Sequence, residues 1–453
     1  MAESGSAWLI APGPEHLDPL DALARVADAP GLVCLHGGPG GWIHLCWLPA
    51  QVDAPPVAFH AAGALAALTA AAQDFAPPSW ERRLQPASSP GEPSWERRLQ
   101  PASSPGEPGH GWSGDFAGGF FVQLDHEWPA VPLAALPAPF VVRWDPAGRC
   151  TICVADAALL PGILADLAQP AQPLAAPKLA GPLTPAWQAP GHHQRVAALQ
   201  AAIAEGAIYQ ANLTLAFAAP LADPLRADAG LFAALVRASP APYAALIRLP
   251  GRPAVISHSP ECFLAWRGDR TVSRPIKGTR PRRPGADAAT RAELLASDKE
   301  RAELAMIVDL VRNDLGRTAV PGSVHVTEPA RVLDLPYVHH LCADILATST
   351  ADPAARIAAA FPPGSVTGCP KRMALELIAR HEAGPRGAYC GAFGWIGPGA
   401  GELAVAIRTA VIERGLLRLH AGGGITAGSD PAAEWDEVRA KLAGLAAVLG
   451  VEL

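Results

Sequence analysis

Lysine is scarce in this chain, so the few lysines that it keeps are informative. Only five of its 36 lysine and arginine residues are lysines, at positions 178, 277, 299, 371 and 441. A buried lysine amine can lose its proton and attack carbon, whereas a guanidinium group stays protonated. Lys277, in the stretch RPIKGT (274–279), is therefore a candidate nucleophile; the alternative is a surface lysine.

Three glutamates on two predicted helices could bind a cation. Glu434, Glu437 and Lys441 follow one another at spacings that place them on one face of the last predicted helix. Glu303 lies in another predicted helix, which Ser297 can cap. Adjacent carboxylates repel each other unless a cation joins them, and Mg²⁺ typically takes one or two protein carboxylates. The pattern predicts either a Mg²⁺ site or three solvated helix residues.

An arginine and a glycine run could bind an anion. Arg408 lies in an otherwise uncharged predicted strand (403–412), so it needs a carboxylate from the protein or from a ligand. Gly422, Gly423 and Gly424 follow the next predicted strand, and their N–H groups could approach an anion, although glycine turns are common. The stretch GSVTGCPK (364–371) lacks the Gly-Lys-Ser/Thr ending of an ATP-binding P-loop.

These groups must be positioned by a mixture of hairpins and separate helices. Helices are predicted at 193–205, from Ser297 onward, at 370–382 and from Asp430 onward, and a strand at 208–217. Three further strands, at 388–397, 403–412 and 416–424, read as an antiparallel meander. The mixture favours an α+β layered fold over a Rossmann-like alternation of single strands and helices.

Two proline-rich segments divide the chain. The 15-residue unit SWERRLQPASSPGEP occupies 79–93 and is repeated at 94–108. Two copies are too few for a solenoid, so a disordered insertion is predicted at 77–110. A second segment, 168–190, is rich in proline and alanine and places a soft boundary near residue 190, between regions 1–190 and 191–453.

Composition excludes several classes of function. The net charge is −6, without a block of basic residues, which disfavours nucleic-acid binding. The longest apolar stretch, 58–72, is shorter than the roughly 20 residues of a membrane helix. The N-terminus lacks a secretory pattern and the eight cysteines are scattered, so a soluble cytoplasmic protein with reduced thiols is expected. The lone pair Cys150 and Cys153 is interpreted as buried strand residues.

Ten stretches, in this order, resemble the chorismate-utilising enzymes, most closely their aminodeoxychorismate synthase component I branch. They are IYQANL (208–213), SPECFL (259–264), RPIKGTRPR (274–282), DKERAELAMIVDLVRNDLGR (298–317), HHL (339–341), GSVTGCPK (364–371), YCGAFGW (389–395), AIRT (406–409), AGGGI (421–425) and EWDEVRAK (434–441). The first 190 residues resemble the N-terminal region of anthranilate synthases only loosely. His36-Gly37-Gly38 stands where feedback-regulated members carry a Leu-Glu-Ser motif, so tryptophan binding is in doubt.

The resemblance implies a layered sandwich of antiparallel or mixed sheets flanked by helices, and it implies ligands for the site residues. By this resemblance Glu303, Glu434 and Glu437 hold Mg²⁺ against the ring carboxylate of chorismate. A substrate carboxylate is held by Tyr389, Arg408 and the backbone of Gly422, Gly423 and Gly424, and the pocket is lined by Thr279, His340, Thr367 and Lys441.

Two positions sort the family by reaction. The relatives that add water are expected to carry a lysine base where this chain has Gln210, and anthranilate synthases usually read Pro-Ile-Ala-Gly-Thr where it has Lys277. The resemblance thus implies that Lys277 attacks C2 of chorismate and that ammonia then attacks C4, giving 4-amino-4-deoxychorismate for para-aminobenzoate and folate synthesis. Glu261 is the candidate general acid, or else it caps the turn after Pro260.

The ammonia implies a partner, because the chain contains no Gly-x-Cys-x-Gly nucleophile elbow for glutamine hydrolysis. A separate glutamine amidotransferase subunit is therefore expected. Two alternatives stay open: anthranilate synthase component I, and a catalytically silent chorismate-binding homologue.

Overall fold

Helices and antiparallel hairpins alternate along the chain. A computed structural model describes residues 9–29, 31–38, 41–48, 57–59, 119–127, 133–282, 285–335 and 338–453. The predicted insertion 77–110 lies outside these residues. The helices are α1 (Pro19–Arg25), α2 (Leu160–Leu167), α3 (Ala189–Ala204), α4 (Ala227–Ala238), α5 (Asp287–Ala296), α6 (Asp298–Gly316), α7 (Pro353–Ala360), α8 (Lys371–His381) and α9 (Pro431–Leu449).

The strands are mostly short. They are β1 (Leu9–Pro12), β2 (Val33–His36), β3 (Ile43–Cys46), β4 (Val57–Phe59), β5 (Gly119–Leu124), β6 (Leu133–Ala138), β7 (Phe140–Trp144), β8 (Cys150–Val154), β9 (Thr184–Pro185), β10 (Gln210–Pro220), β11 (Tyr243–Ile247), β12 (Ala254–Ser259), β13 (Cys262–Arg267), β14 (Arg270–Arg274), β15 (Ile276–Pro281), β16 (His325–Val326), β17 (Arg331–Asp334), β18 (Val338–Cys342), β19 (Ile345–Thr348), β20 (Gly368–Cys369), β21 (Ala392–Gly397), β22 (Ala400–Val405), β23 (Thr409–Glu413) and β24 (Leu416–Ile425).

The strands form three sheets in the described part of the chain. The first has the order β1-β8-β7-β3-β2-β11-β12-β23-β24-β10-β20, with β9 also paired to β10. The second has the order β16-β19-β14-β13-β22-β21-β5-β6-β4, and the third is β15-β18-β17. Neighbouring strands pair in the antiparallel sense, for example β10 with β24 and β21 with β22. The predicted α+β fold with antiparallel sheets is confirmed.

Strands from both sides of residue 190 share the two large sheets. In the first sheet β2 pairs with β11, and in the second β5 pairs with β21. The N-terminal and C-terminal regions therefore interleave, and the boundary near residue 190 stays a prediction. No helix among the described residues has both the length and the apolar character needed to cross a membrane.

Apolar side chains fill three layers of core between the elements. One cluster packs α4 and α9 on the first sheet, and α9 contributes the predicted apolar face of Val438, Leu442, Leu445 and Leu449. A second cluster lies between the two large sheets and includes Phe121 and Trp395. A third packs α6 and α7 on the second sheet. Each fully buried leucine contributes roughly 2 kcal/mol, so these faces fix the order helix, sheet, sheet, helix.

Two local predictions are confirmed and one is wrong. Ser297 caps α6 by accepting a hydrogen bond from the N–H of Glu300, and Cys150 and Cys153 lie in a strand. The single strand predicted at 403–412 is instead two strands, β22 in the second sheet and β23 in the first. Arg408 lies at the crossing with a φ of 50°, in the left-handed region. The uncharged sequence around Arg408 gave no sign that the chain changes sheets there.

Gly391 tests how tightly this crossing is packed. A Cβ atom at Gly391 would lie 2.0 Å from the carbonyl oxygen of Leu124, and the Gly391 carbonyl accepts a hydrogen bond from the N–H of Ala406. We expect Gly391→Ala to lower the free energy of unfolding by roughly 2 to 3 kcal/mol, because backbone atoms must shift. Gly428→Ala is the control, since its Cβ meets nothing within 4 Å. Urea unfolding measures the free energy of unfolding of both variants. Equal values for the two would contradict the expectation.

Candidate active site

Several predicted site residues converge where the third sheet meets the first. Lys277 on β15 lies within the electrostatic reach of Lys441 on α9 and of Glu303, Glu261 and Glu437. His340 on β18 contacts Arg408 at the sheet crossing. The predicted nucleophile, acid, metal ligands and anion-binding arginine therefore surround one region.

The side chain of Lys277 is partly buried and its amine contacts the protein. Its Nζ donates a hydrogen bond to the carbonyl oxygen of Ser365 at 3.3 Å. Burial lowers the pKa of Lys277, and Lys441 lowers it further, while the carboxylates of Glu303 and Glu261 oppose the change. Lys277 is partly buried, and its environment moves the amine toward the neutral form. Its role as the nucleophile stays a prediction.

A bulge at Gly278 sets the residues on either side of it. Lys277 lies opposite Leu341 and Thr279 lies opposite His340, so Gly278 is the extra residue of β15. Its φ is 63°, and a Cβ there would lie 2.9 Å from the side chains of Glu300 and Leu294. Only glycine fits this conformation and space, and the bulge aims Thr279 at His340.

His340 is held as a neutral ring of one tautomer. Burial, reinforced by Arg408, lowers its pKa to about 3. A guanidinium group can only donate, so Nε2 of His340 must accept from Arg408 Nη2 at 3.3 Å. Nδ1 therefore carries the hydrogen and faces the Gly278 carbonyl at 3.1 Å and the Thr279 hydroxyl at 3.0 Å.

Arg408 has a neutral partner where a buried cation usually has a carboxylate. Among the described residues no acidic side chain pairs with Arg408, and burial alone lowers its pKa. The residue keeps some accessible surface and adopts a left-handed φ that non-glycine residues seldom take. An unpaired guanidinium that faces accessible space suits an incoming carboxylate.

Two of the three glycines in β24 turn their N–H groups away from β10. The N–H groups of Asn212 and Thr214 donate at 2.7 and 2.8 Å to acceptors on the far side of β10. In an antiparallel pair, alternate residues direct their N–H and C=O groups toward the partner strand. Leu213 lies between Asn212 and Thr214, so its backbone groups bond to those of Gly423. Gly422 and Gly424 consequently point their polar groups toward the opposite edge.

That opposite edge is free of a strand in the described structure. Strand β23 pairs with β24 only as far as Leu419, because β23 begins just after the crossing at Arg408. Lys441 reaches this edge and donates to the carbonyl oxygen of Gly422 at 2.7 Å. The N–H groups of Gly422 and Gly424 are thus left at an edge without a neighbouring strand in the described structure, as an anion site requires.

The three predicted metal ligands flank Gly423 and Lys277. A Cβ atom at Gly423 would lie 2.9 Å from Oε2 of Glu434 and 3.4 Å from Oε1 of Glu437, so glycine leaves room for both carboxylates. Burial raises the pKa of Glu303 and of Glu434, and Glu437 adds to both effects. Crowded, partly desolvated carboxylates of this kind fit a hard cation such as Mg²⁺.

The carboxylates of Glu303, Glu434 and Glu437 do not surround a common point in the described structure. No group of three acidic, histidine or cysteine side chains in the described residues is arranged as a ready metal site. Glu437 forms an ion pair with Lys441 at 2.6 Å, and Glu434 accepts a hydrogen bond from Ser429 at 2.7 Å. A cation would therefore have to compete with Lys441 for Glu437.

Glu261 is a buried carboxyl group with the acidity of a general acid. Its side chain is 3% exposed, and burial raises its pKa to about 7. Ser365 and Lys277 are close enough to oppose this rise. The Ser365 hydroxyl nevertheless makes no hydrogen bond of acceptable geometry in the described structure. A carboxyl group that is half protonated near neutral pH can supply a proton.

The remaining predicted residues support the walls of the site. Gln210 is buried, its Oε1 has no partner among the described residues, and its amide fills the space beside Gly424. The Thr367 hydroxyl donates to carbonyl oxygens of its own loop at 3.2 Å. The ring of Tyr389 stacks on His420 of β24 at 5.1 Å. The assignment of Thr367 and Tyr389 to substrate contacts stays a prediction.

Sequence reasoning missed two buried ion pairs that hold the loop carrying Ser365. Lys371 donates to Asp314 at 2.7 Å and to the carbonyl oxygens of Ala360 and Pro362 at 2.7 and 2.8 Å. The scarcity of lysine was a usable signal for Lys371, because three fixed acceptors suit an ammonium group.

The second ion pair is that of Arg386 with Glu382. Arg386 donates to Glu382 at 2.6 Å and to the carbonyl oxygens of Val366 and Asn212 at 2.7 and 2.6 Å. It thereby ties the Ser365 loop to β10. Arg386 lies in a glycine- and proline-rich turn between predicted elements, and nothing in that pattern signalled its role.

Comparison with known proteins identifies the family of this chain. The family of chorismate binding enzymes matches residues 150–447. Aminodeoxychorismate synthase of Streptomyces griseus is 42% identical over 280 residues, which cover 59% of this chain and 38% of that protein. Aminodeoxychorismate synthase component 1 of Klebsiella aerogenes is 43% identical over 265 residues, 56% of this chain and 58% of that protein.

A relative named for another reaction is similar to a comparable degree. Anthranilate synthase component 1 of Haloferax volcanii is 42% identical over 225 residues, which cover 48% of this chain and 43% of that protein. The chain thus spans less than two thirds of the length of each of these relatives.

Solved structures share the fold. The menaquinone-specific isochorismate synthase of Escherichia coli superposes with a TM-score of 0.74 at 22% identity, covering 98% of this chain and 94% of that one. Anthranilate synthase component I of Streptococcus pneumoniae gives a TM-score of 0.67 at 21% identity, with coverage of 98% and 94%. The predicted architecture of the chorismate-binding enzymes is confirmed.

Two arginines give a matched test of the anion site. Arg386 has a buried carboxylate partner, so Arg386→Met leaves Glu382 unpaired, and we expect it to lower the free energy of unfolding by about 3 to 5 kcal/mol. Arg408→Met removes a cation without an acidic partner, so we expect unchanged or higher stability. Urea unfolding of both variants measures this. A marked loss of stability in Arg408→Met would contradict the assignment of Arg408 to a ligand.

Proposed function

The chain belongs to the chorismate binding enzyme family, and from that premise we propose that it converts chorismate and ammonia into 4-amino-4-deoxychorismate. One observation carries the proposal: a lysine amine with a lowered pKa and a carboxyl group with a pKa near 7 lie in electrostatic contact within one enclosed region. The first is suited to attack carbon and the second to protonate a leaving hydroxyl group.

The proposed reaction has two displacements. The neutral amine of Lys277 bonds to C2 of chorismate, the ring double bonds shift, and the C4–oxygen bond breaks. Glu261 gives its proton to the departing hydroxyl, which leaves as water. Ammonia then bonds to C4, the double bonds shift back, and the bond from C2 to Lys277 breaks. The proton lost by the incoming nitrogen restores the acid form of Glu261, so the net change replaces the hydroxyl by an amino group and releases water.

The residue at position 210 supports ammonia over water as the nucleophile. A carboxamide has no basic nitrogen, so Gln210 cannot remove a proton from water as a lysine could. Its buried side chain lies beside Gly424, which places it at the wall of the proposed pocket. The lysine at 277 supports amination at C4, because two successive displacements return the new nitrogen to the para position.

The cationic groups supply anchors for a dicarboxylate. We assign one substrate carboxylate to Arg408 together with the N–H groups of Gly422 and Gly424, which face the same open strand edge. Glu303, Glu434 and Glu437 are proposed to hold Mg²⁺ beside the ring carboxylate. When bound, Mg²⁺ would stabilise negative charge at that carboxylate electrostatically. Its binding requires Glu437 to exchange its ion pair with Lys441 for the metal.

A partner that supplies ammonia completes the proposal. The relatives from Klebsiella aerogenes and Salmonella typhimurium are named component 1, which is consistent with a separate second component. We propose that the partner of this chain is a glutamine amidotransferase subunit.

The product of the reaction with ammonium salt tests this function. Wild-type protein incubated with chorismate, Mg²⁺ and an ammonium salt is expected to form 4-amino-4-deoxychorismate, identified by mass spectrometry and by conversion to para-aminobenzoate with an added lyase. Lys277→Ala is expected to lose at least about 100-fold in rate, since it removes the nucleophile. Lys178→Ala, at an exposed position, is the control. Anthranilate as the sole product would favour the alternative synthase, and absence of turnover would favour a silent homologue.

The pH dependence tests the role of Glu261. The acid form is required, and burial raises its pKa to about 7, so kcat should fall as the pH rises through that value and Glu261 loses its proton. On the acid side kcat should fall as Lys277 becomes protonated. Glu261→Gln should lower kcat and should also abolish the fall of kcat at high pH, the alkaline limb of the profile. An unchanged alkaline limb in Glu261→Gln would show that another group supplies the proton.

A further inference from the structure

A small cavity is lined in part by Glu261. The space open to the centre of a water-sized molecule is about 10 Å³, which is roughly what one molecule of a single heavy atom needs. Its polar lining comes from Glu261, Ser273, Asp314 and Ser365. The cavity is far too small for chorismate.

One hydroxyl group at this cavity is poorly satisfied. Oγ of Ser365 is buried and lies near the Glu261 carboxyl group, but it forms no hydrogen bond of good geometry with any described residue. Asp314, by contrast, already accepts from Lys371 at 2.7 Å. A buried hydroxyl without a partner is costly, so an occupant that both donates and accepts hydrogen bonds would stabilise Ser365 here.

The rest of the lining favours a neutral occupant. Most other walls are apolar and include Phe263, Val311 and Leu315. The negative charge of Asp314 is balanced by Lys371. An unpaired ion is strongly disfavoured in such surroundings, whereas a small neutral molecule with hydrogen-bonding capacity is not. Water and ammonia share this size and chemistry.

The cavity shares a wall with the proposed reaction centre. Ser365 lines the cavity, and its carbonyl oxygen accepts the hydrogen bond from Lys277 at 3.3 Å. Glu261 lines the cavity and lies within electrostatic reach of Lys277. A molecule in the cavity is thus separated from the proposed nucleophile by these two residues.

We propose that this cavity is a holding site for ammonia, the second substrate, before it reaches C4 of the ring. The proposal rests on the proposed function. Ammonia enters the cavity once Glu261 has given its proton to the departing hydroxyl, and it is then held without chemical change by hydrogen bonds to the Ser365 hydroxyl and the Glu261 carboxylate. The site keeps the second nucleophile close to the reaction centre between the two displacements.

Two valines one helical turn apart provide the test. Val311 of α6 lines the cavity, whereas Val308 of the same helix is similarly buried but does not line it. Val311→Ile places an extra methyl group in the cavity, and we expect the KM for ammonium to rise about tenfold with the KM for chorismate unchanged. Val308→Ile should leave both constants at wild-type values. Thermal unfolding confirms that both variants are folded.

A second variant keeps the proposal testable if Val311→Ile does not fold. Ser365→Ala leaves the volume but removes the hydroxyl, and it should also raise the KM for ammonium more than that for chorismate. Unchanged ammonium KM in the folded variants would overturn the proposal and leave a cavity for structural water only. Failure of the proposed function itself would appear differently, as anthranilate or no product from the wild-type protein.

Discussion

The passage of the chain from one sheet to the other at Arg408 is the constraint on which the site depends. Because β23 joins the first sheet only after Arg408, its pairing with β24 stops at Leu419 and the glycine-bearing end of β24 keeps a free edge. The same crossing fixes a guanidinium group in a left-handed backbone conformation next to a neutral histidine. One topological event therefore leaves the strand edge at Gly422 and Gly424 open and places at the crossing a guanidinium group that has no acidic partner among the described residues.

Two buried ion pairs hold the loop that carries Ser365. Lys371 with Asp314 and Arg386 with Glu382 both donate to backbone carbonyl oxygens around the Ser365 loop. Each pair has no net charge, so burying it costs less free energy than burying a single ion, and its hydrogen bonds restrict the loop. The site residues differ in this respect, because Arg408 has no acidic partner among the described residues and Glu261 is buried. The balanced pairs thus restrict the loop, and the groups without a balancing charge are the ones proposed to meet a ligand.

Local signals predicted the elements well, because helix caps and amphipathic faces depend on neighbouring residues. The Ser297 cap and the apolar face of α9 are examples. The crossing at Arg408 was not predictable from the sequence pattern, because both strands are apolar and the pattern does not reveal which sheet receives them. The pattern did not distinguish the three glycines of β24: Gly423 bonds to β10 and makes room for two carboxylates, whereas Gly422 and Gly424 direct their N–H groups away from β10 in the described structure. Their contact with a substrate carboxylate stays a prediction. The contacts of Arg386 and of Ser365 join residues far apart in sequence, so no local pattern carries them.

The environment of Lys277 gives a physical reason for a lysine at this position in a chain that has few lysines. Burial disfavours charge on both members of the pair formed by Lys277 and Glu261, so it lowers the pKa of the amine and raises that of the carboxyl group. Their mutual attraction opposes both shifts, yet burial dominates in each case. The same environment thus moves a base and an acid toward neutrality from opposite sides, which is the condition for an uncharged nucleophile beside a protonated acid. An arginine at position 277 would stay charged under the same burial and would hold Glu261 in its ionised form. The proposed chemistry therefore requires lysine rather than arginine at this position.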